Sequence, residues 1–144
     1  MILTLVIAVS TLSTLSAFAS EVKVNTKVLN AFKTEFATVN DVEWTVGENY
    51  FIASFNYNQK QVFAYYDEQG ILLGLTRNIS TADLPMNLQY NLKKEYNNYW
   101  ISDLFEVAKN GRTEYYVTVE NADKKIVLLA TGSDWEEYKK VRKA

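Results

Sequence analysis

The chain has 144 residues, which is enough for one domain with its own hydrophobic core. It contains neither cysteine nor histidine, which excludes disulfides, thiol nucleophiles, histidine metal sites and an imidazole base. With 15 basic and 17 acidic residues the net charge is −2, so we expect no nucleic-acid partner.

The first 19 residues have the pattern of a cleavable signal peptide. An apolar, uncharged run over residues 2–15 precedes the small-x-small sequence Ala17-Phe18-Ala19. Serines and threonines interrupt this run, which makes it a poor transmembrane helix. We therefore expect cleavage after Ala19, a periplasmic or secreted protein, and no stable membrane span after signal cleavage.

The next segment predicts one helix and four strands. Asn25 or Thr26 is the expected N-cap, and Leu29, Phe32 and Phe36 recur at helical spacing on one face. Alternating apolar residues between turn signals then predict strands at 42–46, 49–57, 61–67 and 71–79.

A second helix is predicted from Asp83-Leu84-Pro85, with Asp83 as candidate cap and an apolar stripe at Leu84, Leu88, Leu92 and Tyr96. Strands are expected at 101–108, 113–120 and 125–131. Residues 133–142 fit two structures, because Ser133 and Glu136 imitate a helix capping box. We favour a strand there.

The two parts of the mature chain resemble each other in sequence when they are aligned at an offset of about 60 residues. This similarity predicts a single domain over residues 20–144 made of two repeats, about 22–80 and 83–142. The expected fold class is α+β, with two tandem repeats, each a helix packed on an antiparallel β-meander.

The hairpin around Asn58-Gln59 determines which side chains share a face. If Tyr57 faces Lys60, then Ala53 faces Ala64, and large rings surround the two alanines on the helix-facing side. The opposite face then carries the predicted binding residues Tyr50, Ile52, Phe63 and Tyr65.

An apolar second face on such a sheet has three explanations. Other parts of the chain cover it, two copies associate through it, or it binds a protein or an apolar ligand. Trp44 and Trp100 are the second choice of binding residues.

No catalytic residue, metal ligand or cofactor site is assigned from the sequence. A carboxylate-dependent enzyme would need two of four acidic residues within about 5–9 Å of each other. These candidates are Asp41, Glu43, Asp67 and Asp103.

Several short motifs, in their order along the chain, resemble the PepSY-like family of exported, β-lactamase-inhibitor-like bacterial proteins. They are the helix with Phe32 and Phe36, Asp41-Val42-Glu43-Trp44, Phe51-x-Ala53-x-Phe55, Tyr66-Asp67-x-x-Gly70 and Leu84-Pro85. The proline that often follows the first helix in the family is replaced by Ala37-Thr38-Val39. The resemblance implies a tandem helix-and-sheet fold without catalytic residues.

We interpret the chain as a non-enzymatic exported binding module that contacts another envelope or secreted protein. Inhibition of a hydrolase or protease is what the family resemblance suggests, by analogy of fold. Two alternatives stay open, namely a protein that binds a small apolar ligand and, less favoured, a carboxylate-dependent enzyme. The sequence does not determine the oligomeric state.

Overall fold

The computed structural model describes residues 23–144, so the expected signal peptide lies outside the described residues. Helix α1 is Thr26–Glu35, and strands β1 to β4 are Val42–Val46, Tyr50–Tyr57, Lys60–Asp67 and Leu72–Asn78. A 3₁₀ turn at Thr81–Asp83 leads into helix α2, Met86–Glu95. Strands β5 to β8 are Trp100–Lys109, Arg112–Glu120, Lys124–Ala130 and Glu136–Arg142. Neither α1 nor α2, the helices of the described residues, is long and apolar enough to cross a membrane.

The eight strands form one sheet in sequence order, and every neighbouring pair is antiparallel. This continuity contradicts the expected fold class of two tandem repeats, each a helix on its own meander. Residues 75–78 of β4 pair with residues 105–108 of β5, so the backbone of β4 is not left as a free edge. The chain instead folds as one open, eight-stranded antiparallel sheet with two helices on one side.

Helix α1 begins at a predicted cap and packs on the first half of the sheet. The side-chain oxygen of Asn25 accepts a 3.0 Å hydrogen bond from the backbone N–H of Val28. Val28 and Phe32 are buried, and each such burial stabilises the fold by roughly 1.5–3 kcal/mol. Their buried neighbours come from β2 and β3 and are Phe51, Ala53, Phe55, Val62, Ala64 and Tyr66.

The β2–β3 hairpin confirms the predicted register. Tyr57 faces Lys60, and Ala53 faces Ala64. The turn residues Asn58 and Gln59 both have positive φ, 50° and 64°, as a two-residue turn of this hand requires. Ala53 and Ala64 are fully buried under α1, where their small size lets the helix lie close to the sheet.

Helix α2 packs on the second half of the sheet through the predicted leucine stripe. Leu84, Leu88 and Leu92 are buried against side chains of β5, β6 and β7. The predicted cap is wrong, because Pro85 occupies the N-cap position. Asp83 instead stabilises the preceding 3₁₀ turn, where its carboxylate accepts hydrogen bonds from the backbone N–H and hydroxyl of Ser80.

The end of the chain forms strand β8, which confirms the favoured alternative for residues 133–142. Trp135, directly before β8, is buried, and its indole N–H donates a 2.9 Å hydrogen bond to the carbonyl oxygen of Leu88. The side-chain amide of Asn91 also donates to Asp134 at 3.0 Å. These contacts hold the start of β8 against α2 and so position the second edge of the sheet.

Candidate binding surface

The face of the sheet opposite the helices has no covering element among residues 23–144. Side chains alternate between the two faces along a strand, and the burial patterns of β2 and β3 follow this alternation. We call this side the open face and define it by its apolar side chains, which are Tyr50, Ile52, Phe63, Tyr65, Phe105, Val107, Tyr116, Val127, Leu129 and Tyr138.

The structure brings the four first-choice residues together on the open face. Ile52 lies directly opposite Tyr65, and the rings of Tyr50 and Tyr65 are 6.3 Å apart. Phe63 points to the same side two residues before Tyr65, and all four side chains are half-buried. They form one continuous apolar area, whose role in binding stays a prediction.

Tyr65 occupies a special place in this area because its partner on β4 is Gly74, which has no side chain. An aromatic ring opposite a strand glycine shields the exposed backbone and gains contact area there. Burial raises the pKa of the Tyr65 phenol, although a hydrogen bond with Thr76 acts in the opposite direction. The phenol is therefore neutral at physiological pH.

A second aromatic group lies on the open face and was missed in the sequence. Phe105 and Tyr116 stack in parallel, with ring centroids 5.2 Å apart, and Tyr138 meets Tyr116 edge to face at 5.7 Å. Burial, followed by the nearby Glu114 carboxylate, raises the pKa of Tyr116. The signal was present, since Phe105 and Tyr116 alternate with the core residues Leu104 and Val117.

The two tryptophans lie apart from the four first-choice residues. Trp44 is half-buried on the helix face, where its ring meets Phe32 edge to face at 5.3 Å. Trp100, at the start of β5, is 53% exposed and faces Glu120. The ammonium of Lys143 sits 4.7 Å from the Trp100 ring and forms a 2.9 Å ion pair with Glu120. Trp44 is thus part of a core, whereas Trp100 is accessible.

A groove of about 630 Å³ runs beside α2 on the helix side of the molecule. Met86 and Tyr90, which are 84% and 64% exposed, form one wall of this groove. The remaining apolar lining comes from Leu92, Tyr96, Tyr99, Ile101 and Val119. This groove is the second surface with the size and composition for a ligand.

Three of the four acidic residues considered for catalysis, Glu43, Asp67 and Asp103, lie on different strands. Glu43 faces Ser54 on β2 and Asp67 faces Tyr50, so these two carboxylates are separated by about 13 Å along the strands. Asp103 lies on β5, three strands away from β2. Within residues 23–144, no three acidic side chains are grouped closely enough to hold a metal ion.

No family model and no curated protein matches the chain. Solved structures do match its fold. A BLIP-like protein from Bacteroides fragilis is 21% identical with a TM-score of 0.75, and the match covers 87% of this chain and 92% of that one. A DUF2874 family protein from Bacteroides uniformis is 19% identical with a TM-score of 0.73, covering 83% and 90%.

A third structure, from Bacteroides eggerthii, is described provisionally as a periplasmic protein. It is 14% identical with a TM-score of 0.72, and the match covers 83% of this chain and 89% of that one. At these identities the similarity concerns the fold alone. The chain therefore has a BLIP-like fold, and the narrower PepSY-like assignment gains no direct support.

Proposed function

We propose that this chain is a non-enzymatic exported module that binds another protein through the open face. The observation that carries the proposal is the presence of two groups of aromatic and aliphatic side chains on that face, one on β2 and β3 and one on β5 to β8. Aromatic residues are enriched where proteins bind one another, and a large apolar area left open on a sheet is a typical interaction site. Phe63 and Tyr65 belong to the group on β2 and β3.

Export is the second part of the proposal. It is supported by the signal-peptide pattern of the first 19 residues and by a structural neighbour that is described provisionally as periplasmic. Fractionation of the producing cells, with mass spectrometry of the amino terminus, tests this part. A chain beginning at Ser20 outside the cytoplasm supports export, whereas a cytoplasmic chain beginning at Met1 contradicts it.

The finer proposal is that the bound partner is a hydrolase or protease and that binding inhibits it. Its support is the BLIP-like fold. An activity assay of the captured partner, with and without this protein, tests inhibition separately from binding. Unchanged partner activity at saturation would remove the inhibitor proposal and leave the binding proposal standing.

The experiment for binding is crosslinking in a native envelope fraction, followed by identification of the captured protein by mass spectrometry. Wild-type protein should capture one protein at 1:1 stoichiometry. The variant Phe63→Ser with Tyr65→Ser should lose this capture, since it removes two of the four first-choice side chains. Circular dichroism checks that the variant stays folded.

The matched control is Met86→Ser with Tyr90→Ser, which removes two exposed side chains from the α2 groove instead. Capture lost only in the open-face variant supports the proposal. Capture lost only in the groove variant assigns binding to α2 and contradicts it. If the open-face variant unfolds, Phe63→Ala alone and Tyr116→Ala alone replace it as milder changes on the same face.

The second candidate function is binding of a small apolar ligand, and the α2 groove is the observation that favours it. Native mass spectrometry of the protein purified from its natural source tests this candidate. A bound small molecule that the Met86→Ser, Tyr90→Ser variant no longer carries would establish the groove as a ligand site. A protein that carries no ligand in either form would exclude it.

A further inference from the structure

The two edges of the sheet carry opposite charge. Residues 41–48, which contain β1, include Asp41, Glu43 and Glu48 and no basic residue. Strand β8 begins with Glu136 and Glu137, whereas its second half and the next residue are basic, with Lys139, Lys140, Arg142 and Lys143. Apart from Lys143, none of these groups forms an ion pair within residues 23–144. The β1 edge is therefore acidic, and the second half of the β8 edge is basic.

Each edge also presents backbone groups and apolar side chains to solvent. Among the described strands, β1 pairs only with β2, and β8 pairs only with β7. Val46 on β1 is 47% exposed, and Tyr138 and Val141 on β8 are 52% and 47% exposed. An edge with free N–H and C=O groups and exposed apolar residues is a template for another strand.

The two edges cannot meet within one molecule. They are separated by seven strand spacings, or about 34 Å, across an open sheet. Only a second molecule can bring an acidic β1 edge next to a basic β8 edge.

The topology allows this contact without inverting either copy. Since all neighbouring strands are antiparallel and there are eight of them, β1 and β8 run in opposite directions. A second copy can therefore lie beside the first in the plane of the sheet, in the same orientation and with its helices on the same side. Its β1 then runs antiparallel to β8 of the first copy. In that orientation Asp41 and Glu43 at the start of β1 approach Lys140 and Arg142 at the end of β8.

Charge also selects this arrangement over the pairing of two β1 edges. Two β1 edges would bring six carboxylates together, which destabilises that pairing. We propose that two copies of this chain associate edge to edge, with β1 of one copy extending the sheet of the other at β8. This inference is independent of the open face and of its proposed partner.

The contact is small, because β1 has five residues. It buries much less than the about 1,200 Å² of a stable protein interface, so the association is weak and reversible. It is also head to tail, and such contacts continue into longer assemblies instead of closing into a dimer. Salt weakens it, since the screening length falls below about 10 Å above 0.1 M ionic strength.

Analytical ultracentrifugation of the purified protein tests the proposal over a range of protein concentrations at low and high salt. The wild-type weight-average mass should rise with concentration at low salt and return to the monomer value at high salt. Glu43→Lys should lose the associated species, and so should Lys139→Glu with Lys140→Glu. Combining all three changes should restore association, because the basic side chain introduced at position 43 then approaches the carboxylates introduced at positions 139 and 140 of the other copy.

The controls are Glu95→Lys on α2, which changes the charge by the same amount as Glu43→Lys, and Lys33→Glu on α1, which repeats one of the two β8 exchanges, both at exposed helix positions. Both should associate like the wild type. The Phe63→Ser, Tyr65→Ser variant should also associate normally, which separates this contact from the open face.

Four outcomes would overturn the proposal. The wild-type protein could stay monomeric at all concentrations, or it could form a closed dimer. Its association could be unaffected by salt, or the triple variant could fail to associate again. A monomer whose edges bind only an added peptide strand would assign the edges to another partner and would equally contradict association between copies. All the substituted charged side chains are exposed, so the charge variants should keep the wild-type circular dichroism spectrum.

Discussion

The phenol of Tyr66 donates a 2.6 Å hydrogen bond to the carboxylate of Glu35, the last residue of α1. Tyr66 is fully buried in β3, whereas Glu35 is exposed. Burial and the Glu35 carboxylate both raise the pKa of this phenol. The bond therefore connects the centre of the sheet to the end of the helix that covers it.

Replacing Tyr66 by phenylalanine should lower the free energy of unfolding by about 1 kcal/mol. The ring keeps its packing, but the hydrogen bond is lost, and the exposed Glu35 carboxylate regains water. Urea unfolding followed by circular dichroism measures the change. Tyr57→Phe, at an exposed position in the same sheet, is the control and should unfold like the wild type. Equal stability of the two variants would show that the Tyr66 hydrogen bond contributes nothing.

The protein should lose stability at alkaline pH through its buried tyrosines. Burial raises the pKa of Tyr65, Tyr66, Tyr96 and Tyr116 in the folded state. These phenols hold their protons more tightly when folded, so their contribution is complete below the unfolded pKa near 10 and is lost as pH rises above it.

Urea unfolding at a series of pH values between about 8 and 11.5 measures this effect. The free energy of unfolding should fall above about pH 10, and tyrosinate absorbance from the buried rings should increase together with unfolding. The fall should be shallower in Tyr66→Phe, which has one such group fewer. A free energy of unfolding that is level from pH 9.5 to about 11 would contradict the raised pKa values.

Two glycines form a matched pair for a test of the contact between α1 and the β3–β4 turn. Gly70 and Gly111 both have positive φ, 80° and 72°. A Cβ at Gly70 would lie 2.7 Å from the backbone oxygen of Lys27 in α1, whereas a Cβ at Gly111 would meet nothing within 4 Å.

Gly111→Ala should therefore lower the free energy of unfolding only through backbone strain, by about 1–2 kcal/mol. Gly70→Ala should lower it by more than about 3 kcal/mol, because α1 must also move away from the turn. Thermal or urea unfolding of the two variants measures the difference. A similar decrease in the free energy of unfolding in both variants would mean that α1 can move away from the β3–β4 turn without destabilising the core.

Local signals in the sequence were sufficient for the elements and for the first hairpin. The two-residue turn at Asn58 and Gln59 sets the register of β2 and β3, and the leucine spacing identifies the buried side of α2. The four first-choice residues could be placed on one face for the same reason, since strand side chains alternate with a period of two.

The period of two fails where strands have bulges. The β5–β6 register shifts between Ile101 and Asp103, so Ile101 pairs with Val119 and Trp100 with Glu120. Strict alternation from the buried Leu104 would have placed Trp100 on the helix face. A bulge adds one residue to one strand only, and no local pattern in residues 100–104 indicated it.

The amino-acid sequence by itself determined the two amphipathic helices, the strands and the aromatic face of the β2–β3 hairpin, because each depends on neighbours a few residues apart. The tertiary structure decided that β4 pairs with β5 across the intervening α2, which joins the halves into one sheet. It also decided that Phe105 and Tyr116 extend the open face and that the acidic and basic strands become opposite edges. These features depend on pairing between strands that are far apart in the sequence. Backbone hydrogen bonds and apolar burial between those strands stabilise the pairing, and neither can be read from one segment alone.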